Sequence, residues 1–562
     1  MRALRIPGLV VAVFDDYQVV WSKAYGLADA DTKEPLTTST LMQAGSISKS
    51  VAALVALQEV TRGKLSLDAN INLALKSWKL PDSDFMRDGP VTLRRLLSHT
   101  AGTTVHGFPG YADGDPIPTV PQLLDGKPPA NTAPVRVAFT PGSQFSYSGG
   151  GITIVQQALI DVEGGRPYPS IAQDLVTGPL GMTNSTYEEP LPPERARFAA
   201  SGHHDDKTIP GKRHVYPEMA AAGLWTTPND LAHFLIEIQR ALAGRGAHVP
   251  QEVATWMTTG IAPARGGEVG LGFFLSKKNG VEYFGHNGDD EGFNAMSVAR
   301  KRKGYGAVLM ANSDEGYRIF PEVRRAIARE YSWDQYDAAR FERMTIDASA
   351  LAALEGRWNL GDDDGFLLTV REGHLELRRP MEAPEELVPV ASDVFIARDS
   401  GDRLTFTRSE GRDEILLTPD EDEPRRASRL AKGVMLPVFL LDMGHSSEAV
   451  AIYRKRLRAN AKDPAITIDR FRGFALGLLA EHRDAEGVRV LEVAIALYPD
   501  APNVHEMLAD ACAENGQLPR ARREYATALR LMSRDKKSTD DEKAISRTRM
   551  AKKILRTGGA AP

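Results

Sequence analysis

The sequence predicts three successive domains: a mixed α/β domain, a small antiparallel β domain and an all-α helical domain. Three observations predict this. Helical patterns lie between early and late strand patterns up to about residue 335. Short alternating strands fill 350–420, and helical spacing runs through 435–532. A chain of 562 residues is also too long for one hydrophobic core, so several domains are expected.

In the first domain, 1–335, Val10 to Phe14 and Val19 to Trp21 flank Asp15-Asp16-Tyr17 and read as a β-hairpin. A helix follows from Ser46, with Val51, Leu54, Val55 and Val60 at helical spacing and Gly63 as its stop. From Pro81 to Pro141 the chain is rich in Pro, Gly and Asp, with a short helix at Leu93 to Leu97; irregular stretches of this length are often functional. Gly151 to Val162 reads as helix. Thr227-Pro228 begins another, with Thr as cap and Pro at the first position. Leu271 to Leu275, Tyr283-Phe284 and Ala307 to Met310 read as strands, and Phe320 to Tyr331 as a closing helix.

Residues 350–420 carry stretches such as "GFLLTVREGHLELRRP", alternating strands joined by Gly- and Asp-bearing turns, which predict a small sheet or barrel. In 435–532, Leu491 and Tyr525 stand 34 residues apart, as do Ala494 and Ala528. A helical period of that length with small packing residues is the tetratricopeptide pattern; an ordinary helical bundle is the alternative. The tail, 533–562, is charged and polar, a composition that predicts disorder.

The stretch "MQAGSISKSVAALVALQEV" contains Ser46 and Lys49 at the start of an apolar run. A serine hydroxyl is a poor nucleophile until its proton is taken. A lysine three residues on shares its helix face, and once desolvated it can accept that proton. A helix cap beside a surface lysine would give the same letters. The pattern also recurs at Ser533 and Lys536, where no apolar run follows. Support for the first copy comes from two later stretches. "PGSQFSYSGGG" places Tyr147 in a Gly-rich loop before a helix, and "YFGHNGDDEGF" places His286-Asn287-Gly288 after a strand.

In this order, Ser-x-x-Lys, Tyr-x-Gly and His-x-Gly resemble the serine β-lactamase and penicillin-binding protein superfamily, in its class C-like branch of β-lactamases, D-amino-acid peptidases and esterases. "IPGLVVAV", "LRRLLSHTAG", "PLGMTNSTY" and "AAAGLWTTPNDLAHF" resemble it too, so the likeness covers about residues 5–335. The resemblance implies Ser46 as the acylated nucleophile, with Lys49 and Tyr147 moving its proton; which of the two is the base stays open. It implies an oxyanion hole from the backbone N–H groups of Ser46 and Asp289. His286 joins the catalytic set, and Gly149, Asn287 and Gly288 border the substrate. No metal or cofactor is implied. The β domain resembles a lipocalin-like module found after such catalytic domains.

Two positions depart from the family. Gly149 stands where Asn often helps hold a substrate amide, and His286 where β-lactamases carry Lys. With Asp289, Asp290 and Glu291 beside it, His286 reads the carboxylate of a β-lactam less well. The expected function is therefore a serine hydrolase acting on a small-molecule or peptide ester or amide. The alternatives are a β-lactamase or cell-wall D,D-peptidase, and a scaffold acting through its repeats without catalysis. The repeats would bind another chain or a second copy.

Other features exclude more than they add. A net charge of −5 and the absence of a basic stripe argue against a nucleic-acid partner. No apolar run reaches the roughly 20 residues of a membrane span. Cys512 is the sole cysteine, so no intrachain disulfide or cysteine metal site can form. His203-His204-Asp205-Asp206 lacks metal-site spacing and reads as a solvated loop. His99 is expected to hold structure, and Trp225 to lie in the core. No signal peptide is visible, which fits the cytoplasm, or an exported protein whose leader was removed.

Overall fold

The computed structural model describes residues 1–333, 342–534 and 547–554, apart from short gaps at 205, 265, 279, 399, 410–411, 419–423, 462, 481–482, 548–549 and 552. The chain divides into two compact units, Met1–Ala338 and Ala339–Pro562.

The first unit is built on a nine-stranded antiparallel sheet. Its strands are β1 (Gly8–Asp15), β2 (Gln18–Asp29), β3 (Glu34–Pro35), β4 (Ala262–Ala264), β5 (Gly267–Val269), β6 (Phe274–Lys278), β7 (Val281–Asp290), β8 (Phe293–Arg300) and β9 (Gly306–Ala311). They lie in the order β3-β2-β1-β9-β8-β7-β6-β5-β4. The run Gly8–Phe14 is buried on both faces, which is why it reads as continuously apolar. Alternation then sorts its side chains: Val10, Ala12 and Phe14 enter the main core, whereas Leu9, Val11 and Val13 join a second core with Phe320, Ile327 and Ala328 of the closing helix Phe320–Glu330. The sheet is therefore sandwiched between helical layers.

Four helices matter to the site: α1 (Ser48–Thr61), α2 (Gly149–Val162), α3 (Met219–Ala222) and α4 (Pro228–Leu242). Thr227 caps α4 by accepting the Asp230 N–H. Apart from Gln58, Val60 and Thr61 in its last turn, α1 is buried on every side, so its few polar residues face protein rather than water. The expected strand Leu271–Leu275 starts only at Phe274. Gly272 sits at φ 86° in a turn whose N–H bonds the Leu97 carbonyl, which holds the chain off the sheet. Likewise, His286 to Gly288 lie within β7 rather than after it.

In the second unit, eight antiparallel strands from Gly356–Gly361 to Arg425–Arg429 form a closed barrel. Its last strand lies beyond the expected limit at 420 and seals the barrel against the first. Six helices follow from Pro437–Asp442 to Leu518–Arg534. They pack on the barrel: Asp363 receives the Tyr453 hydroxyl at 2.7 Å and the Val438 N–H at 3.2 Å. The expected disorder of the tail does not hold where it is described. Met550 and Ile554 are buried, and the Lys553 ammonium donates to Asp510 at 2.7 Å, because apolar residues on a helical face reach the unit's core. Lys536, of the second Ser-x-x-Lys copy, lies outside the described residues.

Candidate active site

Strand β7 runs directly against the turn Gly45–Ile47 that precedes α1. A Cβ on Gly288 would stand 1.8 Å from the Ala44 oxygen and 3.2 Å from the Ser46 nitrogen. A Cβ on Gly45, at φ 50°, would stand 2.3 Å from the Asp289 nitrogen. Only glycine allows this backbone-to-backbone contact, which brings the Ser46 and Asp289 amides to one place. The turn is held from behind. The Ser48 hydroxyl donates to the Gly45 carbonyl at 2.5 Å and accepts the Leu224 N–H at 3.0 Å.

One turn later Lys49 is almost completely buried. Its ammonium donates to Ser46 Oγ at 2.9 Å and to the Ala221 carbonyl of α3 at 2.7 Å. It also lies 5.1 Å from the centre of the Tyr147 ring. Tyr147 projects from the loop that enters α2. Ser148 caps that helix by accepting the Gly151 N–H at 2.9 Å, and donates its own N–H to His99 Nδ1 at 3.2 Å. The Tyr147 ring is tilted against His99 at 4.4 Å, stacked near Phe274 at 6.2 Å, and 6.1 Å from His286. His99 is thus a buried structural acceptor; burial and the Lys49 charge hold its pKa well below the usual range. Opposite the loop, Val105 keeps φ 64°, a left-handed conformation that costs a β-branched residue about 1–3 kcal/mol, while its carbonyl accepts the Gly150 N–H at 2.9 Å.

Gly149 has no room for a side chain: a Cβ there would lie 2.5 Å from the Phe108 ring. The aromatic ring occupies the space that a longer residue would need. His286 is buried, and its pKa is lowered to about 3 by burial and by the Lys49 charge. Its Nδ1–H donates to the Asn287 carbonyl at 2.5 Å, and the imidazole is neutral. Asn287 is exposed at the same edge.

The three acids that follow differ in charge. Asp290 is buried, and loss of water together with Asp289 pushes its pKa well up. Glu291 is paired with His204 at 2.8 Å. Surrounding protein atoms, then Asp314 and Glu291, push the Asp289 pKa up to about 6, although part of the residue still reaches solvent. Repulsion of an anion by all three therefore reduces to Asp289 alone. His203 and His204 lie on a short strand, not a loop: His203 is buried against the Asn312 carbonyl and His204 bridges Asp314 and Glu291. Among the described residues no cluster could hold a metal ion. Behind the site Glu218 is fully buried, and burial lifts its pKa to about 8. Trp225 lies in the core and donates its indole N–H to Glu189 at 3.0 Å.

The fold thus gathers Ser46, Lys49, Tyr147, His286 and the Gly288–Asp289 backbone. Phe108, Phe274, Glu218 and Tyr317 join them from distant segments with no local motif to announce them.

A family described as Beta-lactamase matches residues 1–331. Among curated proteins, esterase EstB of Burkholderia gladioli is 29% identical over 223 residues, 37% of this chain and 53% of its own length, so the match spans about half of that esterase. Penicillin-binding protein 4 of Amycolatopsis lactamdurans is 27% identical over 369 residues, 62% of this chain and 92% of its own. A D-aminopeptidase of Cereibacter sphaeroides is 26% identical over 435 residues, 72% of this chain and 74% of its own, a share too large to lie within the first unit alone.

Proposed function

The chain belongs to the beta-lactamase family and is a serine hydrolase; from that premise we propose that it cleaves an ester or amide through an acyl-enzyme on Ser46. The observation that carries this reading is the buried Lys49 ammonium, 2.9 Å from Ser46 Oγ and beside the Tyr147 ring. Ser46 Oγ attacks the substrate carbonyl, and its proton passes to whichever of Lys49 Nζ and Tyr147 Oη is unprotonated, the other keeping its proton as a hydrogen-bond donor. The developing oxyanion meets the Ser46 and Asp289 amides, which the glycine contact holds together without further motion. Tyr147 returns the proton to the leaving group, and water then releases the acyl group.

The substrates of this reading are neutral esters, or peptides with a free amine near the cleaved bond. Neutral His286 offers no charge to a carboxylate, and Asp289, ionised above about pH 6, favours an ammonium group. The D-aminopeptidase and esterase relatives support this; penicillin-binding protein 4 supports the β-lactamase or D,D-peptidase alternative. In the second unit, we read the helices as tetratricopeptide-like pairs that offer a surface to another chain or a second copy, and the barrel as a lipocalin-like module. Leu491, Ala494, Tyr525 and Ala528, the pairs 34 residues apart, all lie in the core, which supports the period.

The test compares the full chain with Ser46→Ala on p-nitrophenyl acetate and nitrocefin. Ester hydrolysis should fall by at least about a thousandfold in the variant, with a fluorophosphonate adduct on Ser46 in the parent protein. A nitrocefin kcat/KM at or above the ester value would instead establish the β-lactamase alternative.

A further inference from the structure

The single turn Gly316–Arg318, ahead of the closing helix, carries Tyr317 toward β7. Its phenol O–H donates to the Gly288 carbonyl at 2.5 Å. That carbonyl and the Asp289 N–H are the two ends of one peptide unit. Because the unit is planar and trans, fixing the oxygen also fixes the direction of the N–H on the opposite side.

A second brace closes a ring of contacts. The Tyr317 backbone N–H donates to Asn294 Oδ1 at 3.3 Å, and Asn294 Nδ2–H donates to Asp289 Oδ1 at 2.8 Å. Asn294 lies directly across the β7–β8 pairing from Asp289. The Tyr317 ring is held edge-on to Phe320 at 5.7 Å. The phenol keeps its proton at any working pH, since burial and the nearby Asp289 push its pKa far up.

We propose that Tyr317 is a positioning residue for the hydrolysis: it anchors the Gly288–Asp289 peptide so that the Asp289 N–H points at the oxyanion. The inference rests on the acyl-enzyme reading of Ser46. A hydrogen bond at the carbonyl also polarises the peptide and strengthens its N–H as a donor. The effect grows as negative charge develops on the substrate oxygen, so it acts on the transition state more than on ground-state binding.

The experiment uses the full chain and Tyr317→Phe, which keeps the ring against Phe320 and removes the donor. Losing an oxyanion-hole donor outright costs about a hundredfold or more, so loosening one should lower kcat on p-nitrophenyl acetate about tenfold with KM within twofold. Affinity for phenylboronic acid, whose tetrahedral adduct places an oxygen in the hole, should weaken by a similar factor. Phe320→Leu disturbs the same packing without touching the O–H, and should keep kcat within twofold. Equal losses in the two variants, or a Tyr317→Phe protein with parental kcat, would overturn the positioning role while fluorophosphonate labelling of Ser46 still upheld the acyl-enzyme. Absence of that labelling in the parent protein would overturn both.

Discussion

Both units of the molecule bury carboxyl groups, and they treat them differently. In the second unit Asp363 is met by the Tyr453 hydroxyl at 2.7 Å and the Val438 N–H at 3.2 Å, with the Arg470 guanidinium 3.7 Å away. Its partners come from the helices, so the buried charge joins barrel and helices into one body. In the first unit Glu218 is equally buried, and neither of its oxygens has a hydrogen-bond partner among the described residues. Asp290 likewise leaves Oδ2 unmet. These costs gather beside Ser46 and Lys49. The contrast lies in these carboxyl groups themselves: the helices supply partners to Asp363, whereas both Glu218 oxygens and Asp290 Oδ2 go without one among the described residues.

The sharpest test of the contrast is Lys49→Ala. It should lower kcat on a neutral ester by about a thousandfold or more with KM changed only a few-fold, because the lost contact acts on the reacting proton. A near-normal kcat would remove Lys49 from the chemistry.

Glu218→Gln should show next how much the unmet acid costs. With a folded pKa of about 8 against an ordinary 4.5, the folded state holds a proton that the unfolded chain has released between those values. The stabilising contribution is fully present below about pH 4.5 and is lost as pH rises toward 8. The glutamine variant should therefore gain on the parent protein across that window, by as much as about 4 kcal/mol at pH 8. A difference in melting temperature that stays flat with pH would mean that Glu218 is ionised and paired.

Asp363→Ala should do the reverse. It strands the Tyr453 hydroxyl and should cost the second unit about 3 kcal/mol, read as an earlier calorimetric transition. Ester kcat should stay within twofold. Loss of activity in step with that transition would show that the two units are energetically inseparable.

The smallest effect concerns Asp289. The kcat/KM ratio of an amine-bearing ester to its neutral isostere should rise about threefold as pH passes through 6 and the carboxyl ionises. Asp289→Asn should flatten that rise; a variant that still shows it would move the effect to another group.

Much of this could be read before the fold was known. The stretches holding Ser46, Lys49, Tyr147 and His286 could be singled out because each motif carries its own chemistry in adjacent residues, and the fold brings them together. Thr227-Pro228 located a helix start because capping is local. What escaped the sequence depends on contacts between distant segments. Phe108 fills the space over Gly149 from 41 residues away, and Tyr317 reaches Gly288 across 29. The last barrel strand, "RRASR", buries only Ala427, so it lacks the alternating apolar pattern that marks a strand. Met550 and Ile554 stand among lysines and arginines in a tail whose charged and polar majority masks its few apolar residues.

The two ends of the nine-stranded sheet differ from its middle in what they offer to another strand. Strand β3 is only Glu34–Pro35, and β4 is only Ala262–Ala264 with Pro263 at its centre. Proline cannot donate to a neighbouring strand, and two or three residues give little for an incoming strand to pair with. The barrel, being closed, has no edge at all. β2, by contrast, meets β3 only at Leu27 and Asp29, so its outer side from Gln18 to Tyr25 has no strand beside it among the described residues, and an incoming strand would meet the sheet there.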